Sequence, residues 1–239
     1  MGRAHEVRAK AMAATAAARS SLFMRASKEI YMAAKSGEPD PTMNLALRSA
    51  IEKWKGQNVT KEVIERAIQK AKGGSAESYT AGRYEGFAQG ASALIVDTLT
   101  DNTNRAYVEV RGCFNKKGGH LGTPGSVSFN FTEYGVIEFD GGKRDEIEEN
   151  LIMADVDVAE VLEDDGYITI HTAPTALNAA KEVLNGMGIT EFDTNEIKMI
   201  PNELVDLSAE EEEKFKALLD MLGECEDVQA VYHNVNLHD

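Results

Sequence analysis

The sequence predicts an α+β protein: an N-terminal helical bundle followed by two α/β domains, the third inserted into the second. Three observations carry this. Residues 1–72 show helical spacing and breakers without a strand pattern, and they hold 14 Lys/Arg against 7 Asp/Glu, a charge of +7. The remaining 167 residues carry −22 of the total of −15. Residues 92–131 read as strand, helix, Gly-rich loop, strand, and residues 134–203 read as βαββαβ, the order of a ferredoxin-like split βαβ sandwich. The helix and strand that follow have no fold of their own, so they complete the central unit around the insertion. The predicted domains are 1–78 (basic helical), 79–133 plus 204–239 (central α/β) and 134–203 (inserted).

Residues 4–36 are rich in Ala, Lys, Arg, Met and Glu, all good helix formers. The first fifteen of these bury little beyond alanine and are expected to be frayed or to order only on binding. Leu22, Phe23, Ala26 and Ile30 then form an apolar stripe. Gly37-Glu38-Pro39-Asp40-Pro41 breaks the helix, with Asp40 as the next cap and Pro41 at the first position. Leu47, Ala50, Ile51 and Trp54 give that helix its core face. Thr60 caps a third, carrying Ile64, Ala67 and Ile68.

Residues 83–91 lead into a buried strand, Ala93-Leu94-Ile95-Val96. Thr100 or Asp101 caps the next helix, whose apolar face holds Ala106, Tyr107, Val110, Cys113 and Phe114. Gly118-Gly119 stops it. Val127-Ser128-Phe129-Asn130-Phe131 alternates as a strand. The inserted unit follows: strand 136–139, helix 144–153, strands 156–162 and 167–171 around Asp164-Asp165-Gly166, helix 174–187 and a strand within 190–200. Helix 208–222 starts at Ser208 with Glu210–Glu213 in its first turn, where the helix dipole favours acids. Strand 228–235 closes the chain.

The hydrophobic fraction of 43% supports packed cores. No apolar run approaches the ~18–20 residues that span a bilayer. The N-terminus lacks a signal-peptide core, so a cytoplasmic protein is expected. Cys113 and Cys225 are too few for a disulfide framework and read as reduced, small core residues. The five histidines show no metal-ligand spacing, and no nucleophile motif is present, so no catalytic residue, metal or cofactor is expected. The remote enzymatic alternative is a small-molecule site in the cleft between domains, using Cys113 or His120.

A basic module on an acidic body points to polyanion binding by the first part, because Lys and Arg neutralise phosphates and release counterions. Arg19, Arg25, Lys28, Lys53, Lys55, Lys61, Arg66 and Lys70 are the candidates there. The competing reading is a solvated helix surface with Glu62 paired to Arg66. Lys116 and Lys117 flank a glycine loop whose free N–H groups suit a phosphate, although it lacks a P-loop ending. Asn102, Asn104 and Arg105 are candidate RNA or partner contacts, against a plain helix start. Trp54 fits the core better than a base stack.

The segments Gly37-Glu38-Pro39-Asp40-Pro41, Arg83-Tyr84-Glu85-Gly86, Leu99-Thr100-Asp101-Asn102-Thr103-Asn104-Arg105, Asn115-Lys116-Lys117-Gly118-Gly119, Gly122-Thr123-Pro124-Gly125-Ser126-Val127 and Val231-Tyr232-His233-Asn234-Val235 resemble the YebC/PmpR family, in its YeeN-like branch. That family includes the mitochondrial translational activator of cytochrome oxidase subunit I. The resemblance spans nearly the whole chain. It implies the three-domain fold and nucleic-acid binding, either as a DNA-binding transcriptional regulator or as a ribosome-bound translation factor relieving stalls at proline-rich stretches. In two places the chain departs from the family. Residues 4–12 lack the usual tryptophan, and the Gly-Pro-Gly turn is here Ala88-Gln89-Gly90-Ala91.

Overall fold

The computed structural model describes residues 2–74 and 77–238, with the backbone alone for residues 2–17. The head is three helices, α1 (Gly2–Lys35), α2 (Leu45–Gly56) and α3 (Lys61–Lys72). Their stripes meet in one core around Ala26, Ile30, Leu47, Trp54, Ile64 and Ala67. The Ala-rich start is helical in backbone; its side chains lie outside the described residues. Helix α2 begins four residues later than Pro41 would place it. Asp40 is spent in a local turn, accepting from the Thr42 N–H and hydroxyl at 2.8 Å each. Buried Asn44 is the cap instead, accepting the Leu47 N–H at 3.0 Å and donating to the Ala33 and Glu38 carbonyls.

The trunk then runs β1 (Thr80–Phe87), β2 (Ala93–Thr100), α4 (Thr103–Lys116), β3 (His120–Leu121), β4 (Phe131–Asp140), α5 (Arg144–Met153), β5 (Val158–Asp164), β6 (Tyr167–Thr172), α6 (Leu177–Gly186), β7 (Thr194–Pro201), α7 (Ala209–Glu224) and β8 (Val228–His233). Two four-stranded sheets result, ordered β3-β1-β2-β8 and β5-β6-β4-β7, with antiparallel neighbours throughout. The second order is the ferredoxin-like arrangement expected of the inserted unit. The final α7–β8 pair returns to the first sheet, with β8 beside β2.

Strand β2 is apolar on both faces because both are covered. Leu94 and Val96 pack with Phe114, Phe215 and Leu218 beneath α4 and α7. Ala93 and Ile95 pack with Val127, Phe131 and Met199 at the root of the inserted unit. That unit has its own core, centred on Ile137, Phe139, Leu151 and Ile170.

Two further sequence expectations fail here. Residues 83–91 are not merely a lead-in: they belong to β1 and to its hairpin turn into β2, where Gly90 takes φ +58°. Residues 127–131 are not a strand. Ser128–Asn130 form a 3-10 turn, and only Phe131 enters β4. The reason is local: the Val127 and Ser128 N–H groups bond to Glu85 and are lost to any ladder. The turn buries Val127 and Phe131 on one side and leaves Phe129 72% exposed.

Candidate nucleic-acid interface

The head carries its cations in two chemically different states. Arg19 and Arg25, six residues apart on α1, line a groove of about 430 Å³ against Gln57 and Asn58 of the α2–α3 turn. Asn58 holds that turn in the left-handed region at φ +59°. The Arg19 guanidinium sits 5.2 Å over the Phe23 ring. Arg25 is half-buried, and its Nε finds no acceptor among the described residues. Burial alone pushes its pKa down from the usual arginine range. A desolvated guanidinium with an unmet donor has a free-energy deficit that an incoming anion would cancel. Lys55 and Lys61 flank the same turn in sequence and are exposed. Lys61 reaches Glu65 at 3.5 Å, so the helix-surface pairing runs through Lys61 rather than between Glu62 and Arg66. Arg66 is exposed and makes no ion pair among the described residues.

The other head cations are consumed by the fold. Lys28 lies 2.7 Å from buried Asp227 and donates to the Glu226 carbonyl at 2.9 Å. Lys53 bridges Glu29 and Glu196 at 3.1 and 3.0 Å. Burial works against its charge, but the two carboxylates win and its pKa is raised. Lys70 pairs with Glu77 at 2.6 Å. Trp54 is a core residue whose indole N–H donates to Glu29 at 3.0 Å.

In the trunk, Asn102 is the cap of α4, not Thr100 or Asp101; its side-chain oxygen accepts the Arg105 N–H at 3.0 Å. Asn104 is exposed beside it. Arg105 is committed to Asp227 at 2.8 Å and Asp101 at 2.7 Å. Thr100 donates to the same Asp227 carboxylate at 2.8 Å. Burial would raise the Asp227 pKa, yet bonds from Lys28, Thr100 and Arg105 hold it below the usual range. The glycine loop does bind an anion, but that anion is internal. Glu85 accepts the Gly125, Val127 and Ser128 N–H groups at 2.7, 2.7 and 2.8 Å. Those three donors are not open to a phosphate. Lys116 is exposed and Lys117 half-buried at the loop's start, without ion pairs among the described residues.

Asp227 and Glu85, the two trunk carboxylates that organise these contacts, were not singled out in the sequence. Glu85 sat inside the Arg-Tyr-Glu-Gly segment, a signal that could have found it; Asp227 carries none. Among the described residues no group of three His, Cys, Asp or Glu is placed to hold a metal. No helix among them is long and apolar enough to cross a membrane.

Fold and site together define a class: a three-domain α+β protein with a basic helical head ahead of an acidic, twice-sheeted trunk. The chain belongs to the TACO1/YebC family. Residues 3–74 match the model "TACO1/YebC protein N-terminal domain", and residues 79–235 match "TACO1/YebC second and third domain". It is 49% identical over 218 residues to "Probable transcriptional regulatory protein YeeN" of Escherichia coli K12, covering 91% of this chain and 92% of that one. It is 48% identical over 239 residues to "Probable transcriptional regulatory protein Mfl546" of Mesoplasma florum, covering 99% and 100%. Among solved structures it is similar to the conserved hypothetical protein Aq1575 of Aquifex aeolicus. The TM-score there is 0.78 at 35% identity, over 92% of this chain and 91% of that one.

Proposed function

We propose that this chain is a nucleic-acid-binding regulatory protein, acting in transcription, that grips the phosphate backbone through the Arg19–Arg25 groove. Lys55, Lys61 and Arg66 widen the contact. The names of the YeeN and Mfl546 relatives support a regulatory role in transcription. The observation that carries the phosphate contact is Arg25: a cation half-buried without a carboxylate among the described residues, in a module where Lys28, Lys53 and Lys70 all have one.

That deficit gives a test that separates binding from folding. In Arg25→Met the apolar stem is kept and the unpaired charge removed. Thermal unfolding of the full chain should be unchanged or shifted upward, since replacing an uncompensated buried cation by an apolar side chain is neutral to stabilising. Affinity for labelled duplex DNA, read by fluorescence anisotropy, should fall about tenfold, and the slope of log K against log salt should shrink by about one. Arg25→Met with unaltered affinity and slope would refute the groove as the contact.

A second reading, a ribosome-bound translation factor, is favoured by one observation, the trunk's −22. Such a body is repelled along a continuous polyanion and better suits a partner that offers phosphates to the head alone. Sedimentation of a lysate through a sucrose gradient over a salt series distinguishes the two. Co-migration with ribosomal subunits that is lost in Arg25→Met selects translation; a promoter footprint with no such co-migration selects transcription.

A further inference from the structure

The Cys113 and Cys225 sulfurs, 112 residues apart in the chain, lie 3.6 Å from each other. They sit on α4 and at the C-terminal cap of α7, and both line one surface cleft of about 570 Å³. Each thiol also points at the Met221 carbonyl, Cys225 at 3.4 Å and Cys113 at 3.8 Å. We propose that Cys113 and Cys225 are a redox modification site, a dithiol that a hydroperoxide converts into a reversible intramolecular disulfide.

The two thiols are unequal, which assigns their roles. The bond between the two thiols lowers Cys113 from the usual thiol range; burial opposes this, and Lys116, one turn further along α4, assists it. Cys225 is pushed upward by Cys113 and by burial. Glu109, Glu224 and Glu226 line the same cleft, and Glu109 and Glu224 oppose a thiolate, so the bond between the thiols and the Lys116 charge are what sustain it. Cys113 is therefore the attacking thiolate. Its sulfur displaces the peroxide O–O bond: an S–O bond forms, hydroxide leaves and takes up a proton as water, and Cys113 becomes a sulfenic acid. The Cys225 sulfur then attacks the Cys113 sulfur. The S–S bond forms, the S–O bond breaks, and the Cys225 proton leaves with that oxygen as a second water. Two thiols and one hydrogen peroxide give one disulfide and two waters. A small dithiol reductant reverses the change by exchange.

The two sulfurs must close to about 2 Å for this bond. Cys225 ends α7, where the last turn has no helix beyond it to hold it. It also sits inside the stretch on which the head is seated. Ser21 donates to the Gly223 carbonyl at 3.2 Å, and Lys28 holds the Glu226 carbonyl and Asp227. The bond would thus form at the junction of head and trunk.

The test uses the full-length protein, treated with hydrogen peroxide, denatured, alkylated with iodoacetamide and weighed intact. The expected product is a single chain lighter by two hydrogens that takes up no alkyl group; dithiothreitol restores two alkylatable thiols. In Cys225→Ser, Cys113 should stop at the sulfenic acid and be trapped by dimedone. In Cys113→Ser, Cys225 should remain alkylatable after the same exposure. Two thiols still open to alkylation in the oxidised wild-type protein would overturn the proposal, as would a disulfide found only between two chains. The wild-type measurement decides the matter even if a serine variant folds poorly.

Discussion

Asp227 shows what a single side chain does in this chain. Its carboxylate is almost fully buried and takes bonds from Lys28 of the head, Thr100 of β2 and Arg105 of α4. Removing its charge leaves two cations facing a neutral group, so Asp227→Asn should cost about 3 kcal/mol in denaturant unfolding. The pH dependence follows from the lowered pKa. A carboxyl whose folded pKa is depressed contributes stability that is fully present above its unfolded value of about 4 and is lost as pH falls through the folded value. The wild-type protein should therefore lose stability more steeply than Asp227→Asn below about pH 4. Parallel acid limbs in the two proteins would contradict this. None of it was legible in the sequence. Lys28 and Arg105 looked like free cations because their shared partner lies 199 and 122 residues away. Local charge counting cannot see such a partner.

At the scale of elements, periodicity was readable wherever a face is apolar, and it failed where a segment is shaped by one polar anchor. Helices α3, α4 and α7 have clear stripes and strand β6 alternates, and these formed within a few residues of expectation. Strand β1 carries Gly82, Arg83, Glu85 and Gly86 among its eight residues and has no apolar run to announce it. Its glycines serve close packing rather than flexibility. A Cβ on Gly86 would stand 2.6 Å from Phe114 and 2.9 Å from the His120 carbonyl. Glu85 is the anchor of the loop that follows. Burial raises its pKa, but the three backbone N–H groups overcome this and lower it. Glu85→Gln keeps one acceptor oxygen where two oxygens serve three donors. It should cost about 2 kcal/mol, and hydrogen exchange at Gly125, Val127 and Ser128 should accelerate before the global transition. If those three amides exchange no faster than in the wild type, Glu85 does not hold the loop. The cap of α2 makes the same point. Asp40-Pro41 is the stronger local signal, yet Asn44 wins because its amide also ties α1 to the loop before α2. Asn44→Ala should cost at least the ~1 kcal/mol of a lost cap, measured as a fall in the unfolding midpoint.

Across the whole molecule, head and trunk differ in charge, and each builds its own apolar core. The charge split did not reveal how much of the head's positive charge the trunk already uses. Lys28 meets Asp227, Lys53 meets Glu196, and Glu52 accepts Lys181 of the inserted unit. The seam thus holds several ion pairs, and the head cations without one among the described residues include Arg19 and Arg25, at the groove beside the α2–α3 turn. A seam of this kind is weakened by screening, unlike an apolar one. Calorimetry of the full chain at about 0.05 M and about 0.5 M salt should therefore show the head's transition moving down and away from the trunk's. Lys53→Ala should do the same at low salt, because it removes the cation that burial leaves paired with Glu29 and Glu196 at once. With Glu29 then unpaired beside the Trp54 indole, a shift of several degrees is expected in the head alone. If Lys53→Ala instead lowers one shared transition, head and trunk unfold as a single cooperative unit, and the seam is stronger than its ion pairs.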